Sequence, residues 1–227
     1  MDKYLMVSES IKNNLLEIQE QIAPYTPEII AVTKYFGVDA IVDGYNAGLR
    51  NFGESRAVEA IEKIKSLPQE IRENSKFHFI GHLQTNKVAK VVANFDIIHS
   101  VDSVKLADIV SNEAIKIGKV QKVFIQLNNA CEEQKFGFSK EELFENFKTL
   151  SSLKGIKILG LMNIAPLEAV EKDLEDLFED VRETQKQLSC DFAIEMRDIS
   201  MGMSNDYHIA AKHGSTMLRI GRKLFST

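Results

Sequence analysis

Eight short apolar runs recur along the chain, and a stretch with helical spacing follows all but the last. "EIIAVTK" precedes a helical stretch over about 38–47, and "LRNFG" precedes one that carries Val58, Ile61 and Ile64 on one side. "KFHFIG" leads into 87–93, "FDIIHSV" into 104–117 and "VQKVFIQLN" into 140–150. "GIKILGLMNI" leads into an acidic stretch around 168–188, "DISMGM" into 206–212, and "TMLRIG" closes the series. Short runs with little polar alternation are strands covered on both faces. Strands separated by helices pair in parallel. The pattern predicts an α/β fold, a single (β/α)8 TIM barrel. An open doubly wound sheet is the alternative.

Ahead of the first strand, Ile11, Leu15, Ile18 and Ile22 fall on one helical face, and Pro24 and Pro27 end the pattern. Residues 1–23 are therefore expected to form an N-terminal helix. No linker or low-complexity tract divides residues 1–227, so the chain reads as one domain with no second β domain.

The net charge of -5, from 28 basic and 33 acidic residues, comes without a basic stripe, which argues against nucleic acid as a partner. No run approaches the length of a membrane helix, and acids from residue 2 onward exclude a signal peptide. Cys131 and Cys190 lie far apart and outside any CxxC spacing. A cytoplasmic protein is the expectation.

Barrel geometry places chemistry at the C-terminal strand ends and phosphate groups at the loops after strands 7 and 8. Lys34 ends strand 1. Strand 7 runs into Gly202, Met203 and Ser204, and strand 8 into Arg219, Ile220 and Gly221. An amine beside an anion cradle suits a phosphorylated aldehyde held as a Schiff base, and pyridoxal 5'-phosphate is the common cofactor of that kind. A strand-end lysine is also often a solvated charge, and "SMGMS" also fits an ordinary glycine turn.

Several segments carry a family resemblance: "AVTKYFGVDAI", "GLRNFGESRAVEA", "FHFIGHLQTNKVAKVV", "IHSVDSVKLA", "VFIQLNNACEEQKFGF", "GLMNIAP" and "ISMGMSNDYHIAAKHGSTMLRIGRKLF". In this order they resemble the pyridoxal-phosphate homeostasis proteins, the YggS/PROSC family. The resemblance implies a barrel like the N-terminal domain of alanine racemase and pyridoxal 5'-phosphate as cofactor, joined to Lys34. It puts Ser200, Met203 and Ser204 at the cofactor phosphate, with Arg219, Ile220 and Gly221 again near it. The family usually reads Gly-Glu-Asn where this chain has Gly53, Glu54 and Ser55, so a contact near the cofactor ring is lost or remade through Ser55. The glycine that commonly follows the family's terminal Phe is not found after Phe225.

The resemblance also implies a role in cofactor homeostasis without robust turnover, with apo forms of cofactor-dependent enzymes as acceptors. The alternatives are an amino-acid racemase or decarboxylase, which needs a second proton-transfer group, and a phosphosugar isomerase or aldolase that uses Lys34 alone. His82, Tyr35 and Tyr207 are the candidates for that second group. A monomer is expected.

The remaining features read more plainly. His78 and His82 are spaced like helical metal ligands but fall on a strand and its end, so His78 is expected to be a packed residue and no metal is expected. Gln84 and Asn86 end strand 3, where barrel geometry makes both candidate mouth donors, Asn86 as a cofactor-binding residue. Thr85 or Asn86 reads equally as a helix cap. Cys131 is expected in the loop after strand 5, with acidic neighbours that disfavour a thiolate. The acidic stretch reads as the solvated face of a helix that turns Leu174, Leu177 and Val181 inward.

Overall fold

The computed structural model describes residues 3–130 and 136–226. Helix α1 (Lys3–Ile22) leads into β1 (Glu28–Val32), α2 (Val38–Asn46), β2 (Asn51–Glu54), α3 (Ala57–Ser66), α4 (Gln69–Glu73) and β3 (Lys76–Phe79). A 3-10 turn (Thr85–Lys87) continues as α5 (Val88–Asn94), followed by β4 (Ile97–Val101), α6 (Val104–Lys116), β5 (Gln121–Leu127) and α7 (Lys140–Ser152). The last part holds β6 (Ile156–Asn163), α8 (Glu171–Asp191), β7 (Asp198–Ser200), α9 (Tyr207–Lys212), β8 (Met217–Ile220) and α10 (Arg222–Phe225).

The strands pair in parallel and in sequence order, and β8 returns to β1 to close the barrel. Ile30 stands opposite Asn51 on one side and Arg219 on the other. An open doubly wound sheet would leave two unpaired edges, and closure removes both.

Burial separates two apolar layers. The larger fills the space between strands and helices, with Phe52, Phe79, Ile98, Leu161 and Leu218 as strand contributions. The smaller fills the barrel itself and consists of Ile30, Ile97, Phe124, Met162 and Met217. The alternation of Ile29 and Ala31 outward with Ile30 inward follows from the two-residue period of a strand. Helix α1 buries Ile11, Ile18 and Ile22, with Leu15 half-buried beside them.

Local signals account for several boundaries. Ser139 and Glu142 form a reciprocal capping box at the start of α7, and the Ser103 hydroxyl accepts from the Leu106 N–H at the start of α6. Helix α8 starts at Glu171 rather than at 168, because the chain first turns through a bond from Ala169 N–H to Pro166 O. Leu174 and Val181 are buried on it, and Leu177 is half-buried. Val58 does not share the inward face of α3. It is 44% exposed, and Ala60 joins Ile61 and Ile64 in the core. The short helix α4 follows Pro68, which stands at its N-cap.

Candidate functional site

Four consecutive strand ends around the barrel closure, those of β7, β8, β1 and β2, bring most of the expected residues together. Lys34 follows β1 and is half-buried, with its ammonium 5.0 Å from the centre of the Tyr35 ring. Gly221 follows β8 on the neighbouring strand, and a Cβ there would stand 3.1 Å from the Val32 carbonyl oxygen. Any larger residue at 221 would crowd the strand end that carries Lys34. Gly202 follows β7 with φ +91, a conformation that favours glycine. The turn it opens is closed by the Asp206 carboxylate, which accepts from Met203 N–H at 2.5 Å. Burial pushes the Asp206 carboxyl up, opposed by that hydrogen bond and by the charge of Arg219. Met203 and Ser204 are half-buried in this turn. Met203 also lines a cavity of about 830 Å³ with Ile164, Ala165, Pro166 and Leu167.

Ser55 follows β2, half-buried, and faces the backbone of Gly81, where a Cβ would lie 2.5 Å from the Ser55 carbonyl oxygen. It lines a cavity of about 300 Å³ with His82 and Gln84. Asn86 lies apart from this group, exposed on the 3-10 turn. The turn and the start of α5 have no side-chain cap, so neither Thr85 nor Asn86 caps them.

Arg219, Ile220 and Ser200 lie deeper. Ile220 turns its side chain into the outer apolar layer. Arg219 is 5% exposed and turns its guanidinium into the barrel. Its Nη1 donates to the Ser200 carbonyl and hydroxyl oxygens, each at 2.7 Å, and its Nη2 donates to the Asn163 carbonyl at 2.7 Å. Burial lowers the Arg219 pKa to about 10, with Asp206 opposing the shift, so the group stays charged near neutrality.

Two features escaped the sequence reading. The first braces the strand end below Lys34. The buried Glu54 carboxylate accepts from the Thr33 hydroxyl at 2.8 Å and from Lys63 Nζ at 2.5 Å, and Lys63 also reaches the Thr33 carbonyl at 3.0 Å. A buried carboxylate requires such a partner, and "NFGE" at a strand end was the available signal. The second is a line of buried imidazoles. His78 Nδ1 lies 2.9 Å from His99 Nε2, His99 Nδ1 lies 2.8 Å from Ser200 Oγ, and His78 Nε2 lies 3.1 Å from Asn51 Oδ1. Burial is the main cause that lowers both histidines, His78 to about 3 and His99 well below its ordinary value. A histidine inside each of the apolar runs "KFHF" and "IIHSV" was the signal for them.

The candidates for a second proton-transfer group are spread around the molecule. Tyr207 Oη donates to Gln21 on α1. His82 Nδ1 lies 3.2 Å from Asp102 Oδ2, and its ring stacks on Phe136 with centroids 3.7 Å apart. Tyr35 is 75% exposed beside Lys34. Cys131 lies outside the described residues, Cys190 is exposed on α8, and no cluster of potential metal ligands occurs among the described residues. No helix of the described residues is long and apolar enough to cross a membrane.

Comparison with known proteins places this arrangement in a family. Residues 7–227 match the family described as "Alanine racemase, N-terminal domain". The pyridoxal phosphate homeostasis protein of Synechocystis sp. is 37% identical over 202 residues, covering 89% of this chain and 92% of the relative. The mouse protein of the same name is 32% identical, covering 96% of this chain and 83% of its own. Among solved structures, PipY of Synechococcus elongatus with PLP bound superposes with a TM-score of 0.85 at 34% identity, covering 95% of this chain and all (100%) of that one. Alanine racemase of Clostridium difficile shares the fold alone, with a TM-score of 0.78 at 16% identity, covering 96% of this chain and 57% of the racemase. A closed barrel with a lysine at the end of its first strand, matched along nearly its whole length by these relatives, belongs to the alanine racemase N-terminal-domain family and, within it, to the pyridoxal phosphate homeostasis proteins.

Proposed function

We propose that this chain binds pyridoxal 5'-phosphate, holds it as a Schiff base on Lys34, and takes part in balancing the supply of that cofactor without robust turnover of a substrate. The observation that carries the proposal is that Lys34 follows β1, whose paired neighbour β8 runs into Gly221 against the Val32 carbonyl, in a chain whose PLP-bound relative shares the fold. The residues present fit the group. Asn163 Oδ1 is buried at the end of β6 with no hydrogen-bond partner among the described residues, so it is an acceptor that a ligand's donor would complete. Ser204 supplies a half-buried hydroxyl on the turn that Gly202 opens, and Arg219 supplies a buried charge.

When bound, the cofactor supplies a carbonyl carbon that condenses reversibly with a primary amine. The protein's part is to hold and orient. The brace of Glu54 and Lys63 on Thr33 fixes the strand end from which Lys34 projects. The turn closed by Asp206 fixes Met203 and Ser204. Carrying rather than turnover is supported by the engagement of two of the three proton-transfer candidates, Tyr207 tied to α1 and His82 to Asp102, while the third, Tyr35, stands beside Lys34 but is 75% exposed to water. Release to an acceptor enzyme then requires only Lys34 and water.

The test is an absorption spectrum of the protein with added pyridoxal phosphate, before and after borohydride, alongside Lys34→Ala. A yellow band that borohydride converts to a covalent adduct on Lys34, absent from the variant, is expected. Alanine should not be racemised by the loaded protein at a rate above the free cofactor. An equal band in Lys34→Ala would remove the assignment.

A further inference from the structure

The hydrogen bonds inside the barrel have a direction that can be worked out from chemistry alone. A guanidinium only donates, so Arg219 Nη1 gives a proton to Ser200 Oγ. The Ser200 hydroxyl is fully buried and has one proton of its own. The other polar neighbour of Ser200 Oγ is His99 Nδ1, at 2.8 Å. If His99 donated there, the hydroxyl proton would be buried without an acceptor, which costs about 1–3 kcal/mol. Ser200 therefore donates and His99 Nδ1 accepts. A neutral His99 then carries its proton on Nε2, which faces His78 Nδ1 at 2.9 Å. His78 accepts there, carries its own proton on Nε2, and gives it to Asn51 Oδ1 at 3.1 Å. The line starts at a group that can only donate and ends at a carbonyl oxygen that can only accept, so both ends demand the same direction. A second proton on either ring would set two N–H groups, or an N–H and an O–H, against each other. The depressed basicity of both imidazoles agrees with that.

We propose that His99, backed by His78 and Asn51, is a positioning residue for the cofactor mouth, acting through Ser200 to hold the Arg219 guanidinium in place. Two consequences follow, and both rest on pyridoxal phosphate being the ligand of this mouth. The Ser200 hydroxyl is committed to His99, so Ser200 serves Arg219 rather than the phosphate, and Ser204 is the serine left to meet that anion. The orientation of Arg219 is set from the far side of the barrel, by strands β2, β3 and β4, which carry Asn51, His78 and His99.

The proton order is read directly in the ligand-free, nitrogen-15-labelled chain by long-range proton–nitrogen correlation of the imidazole rings. Both His78 and His99 should be neutral Nε2–H tautomers at pH 7, with a scalar coupling across the bond between them. An Nδ1–H tautomer or an imidazolium at either position would overturn the ordering, whatever the protein binds. The positioning role is read by cofactor titration. His99→Leu should weaken pyridoxal phosphate binding by about tenfold or more, the equivalent of one hydrogen bond to a charged group. It should also shift the absorption maximum of the bound cofactor, and His99→Gln, which can accept from Ser200 and donate to His78, should restore part of both. Ser200→Ala removes a single oxygen and serves if His99→Leu does not fold; it should show the same loss, and the two losses should not add in the double variant. Unchanged affinity and spectrum in a folded His99→Leu or Ser200→Ala would overturn the role. If the wild-type chain forms no lysine-bound band, the reading of the mouth fails instead, and the ordering still stands or falls on the tautomers.

Discussion

Single side chains in this barrel act mainly through how they are buried. His78 has no exposed surface, and burial lowers its pKa from 6.5 to about 3, with Lys76 adding to the shift. As pH falls, the unfolded chain takes up that proton first, so stability rises with pH across this window. The contribution is complete above about 6.5 and is lost as pH falls towards about 3. Between pH 7 and pH 5, His78 alone should cost about 2 kcal/mol, and His99 shifts in the same direction. The Asp206 carboxyl, raised by burial, acts with the opposite sign, and from a lower ordinary value of 3.8. Urea unfolding at the two pH values should show the drop, and His78→Asn should reduce it. An unchanged midpoint would mean that the imidazole takes up its proton in the folded state.

At the scale of elements, close approach between neighbours sets the strand geometry. A Cβ on Gly160 would stand 1.6 Å from the Asp198 carbonyl oxygen and 2.6 Å from Gln185 Oε1. That oxygen also accepts the Leu161 N–H at 2.8 Å, so α8 is tied to β6 at the point where β6 meets β7. The pairing of β5 with β6 shifts register just here, between Val123 and Phe124. Gly160→Ala should cost about 3 kcal/mol or more, because strand and helix would both have to move. Thermal unfolding measures it, and a loss below about 1 kcal/mol would mean that the strands separate easily. The alternation of strands and helices was legible from the apolar runs, whereas this register shift was not. Sequence spacing records which face a residue takes, and contact between strands far apart in the chain decides where a ladder slips.

The whole molecule is closed twice, once by β8 on β1 and once by α1 across the outside. Asn14 donates to the carbonyls of Leu224 and Ser226, Lys223 reaches Glu17 at 2.6 Å, and Ile18 is fully buried beneath. The two ends of the described chain are thus held together over the strands that carry Lys34 and Arg219. Ile18→Ala should remove about 2–5 kcal/mol from global stability, in one cooperative transition seen equally by far-UV signal and by tyrosine fluorescence. An early, separate loss of helix signal would show α1 to be an independent layer.

Sequence alone determined the class of fold, because eight apolar runs with helical stretches between them can bury themselves in few ways, and closure in parallel is one of them. It also determined that Lys34 stands at a strand end, since the apolar run stops there. Tertiary structure decided what surrounds that lysine. Glu54 and Lys63, and the line from Asn51 through two histidines to Arg219, join residues from separate strands and helices. Their pairing follows from the cost of burying polar groups without partners, and that cost is met only when the closed barrel brings distant residues within hydrogen-bonding distance.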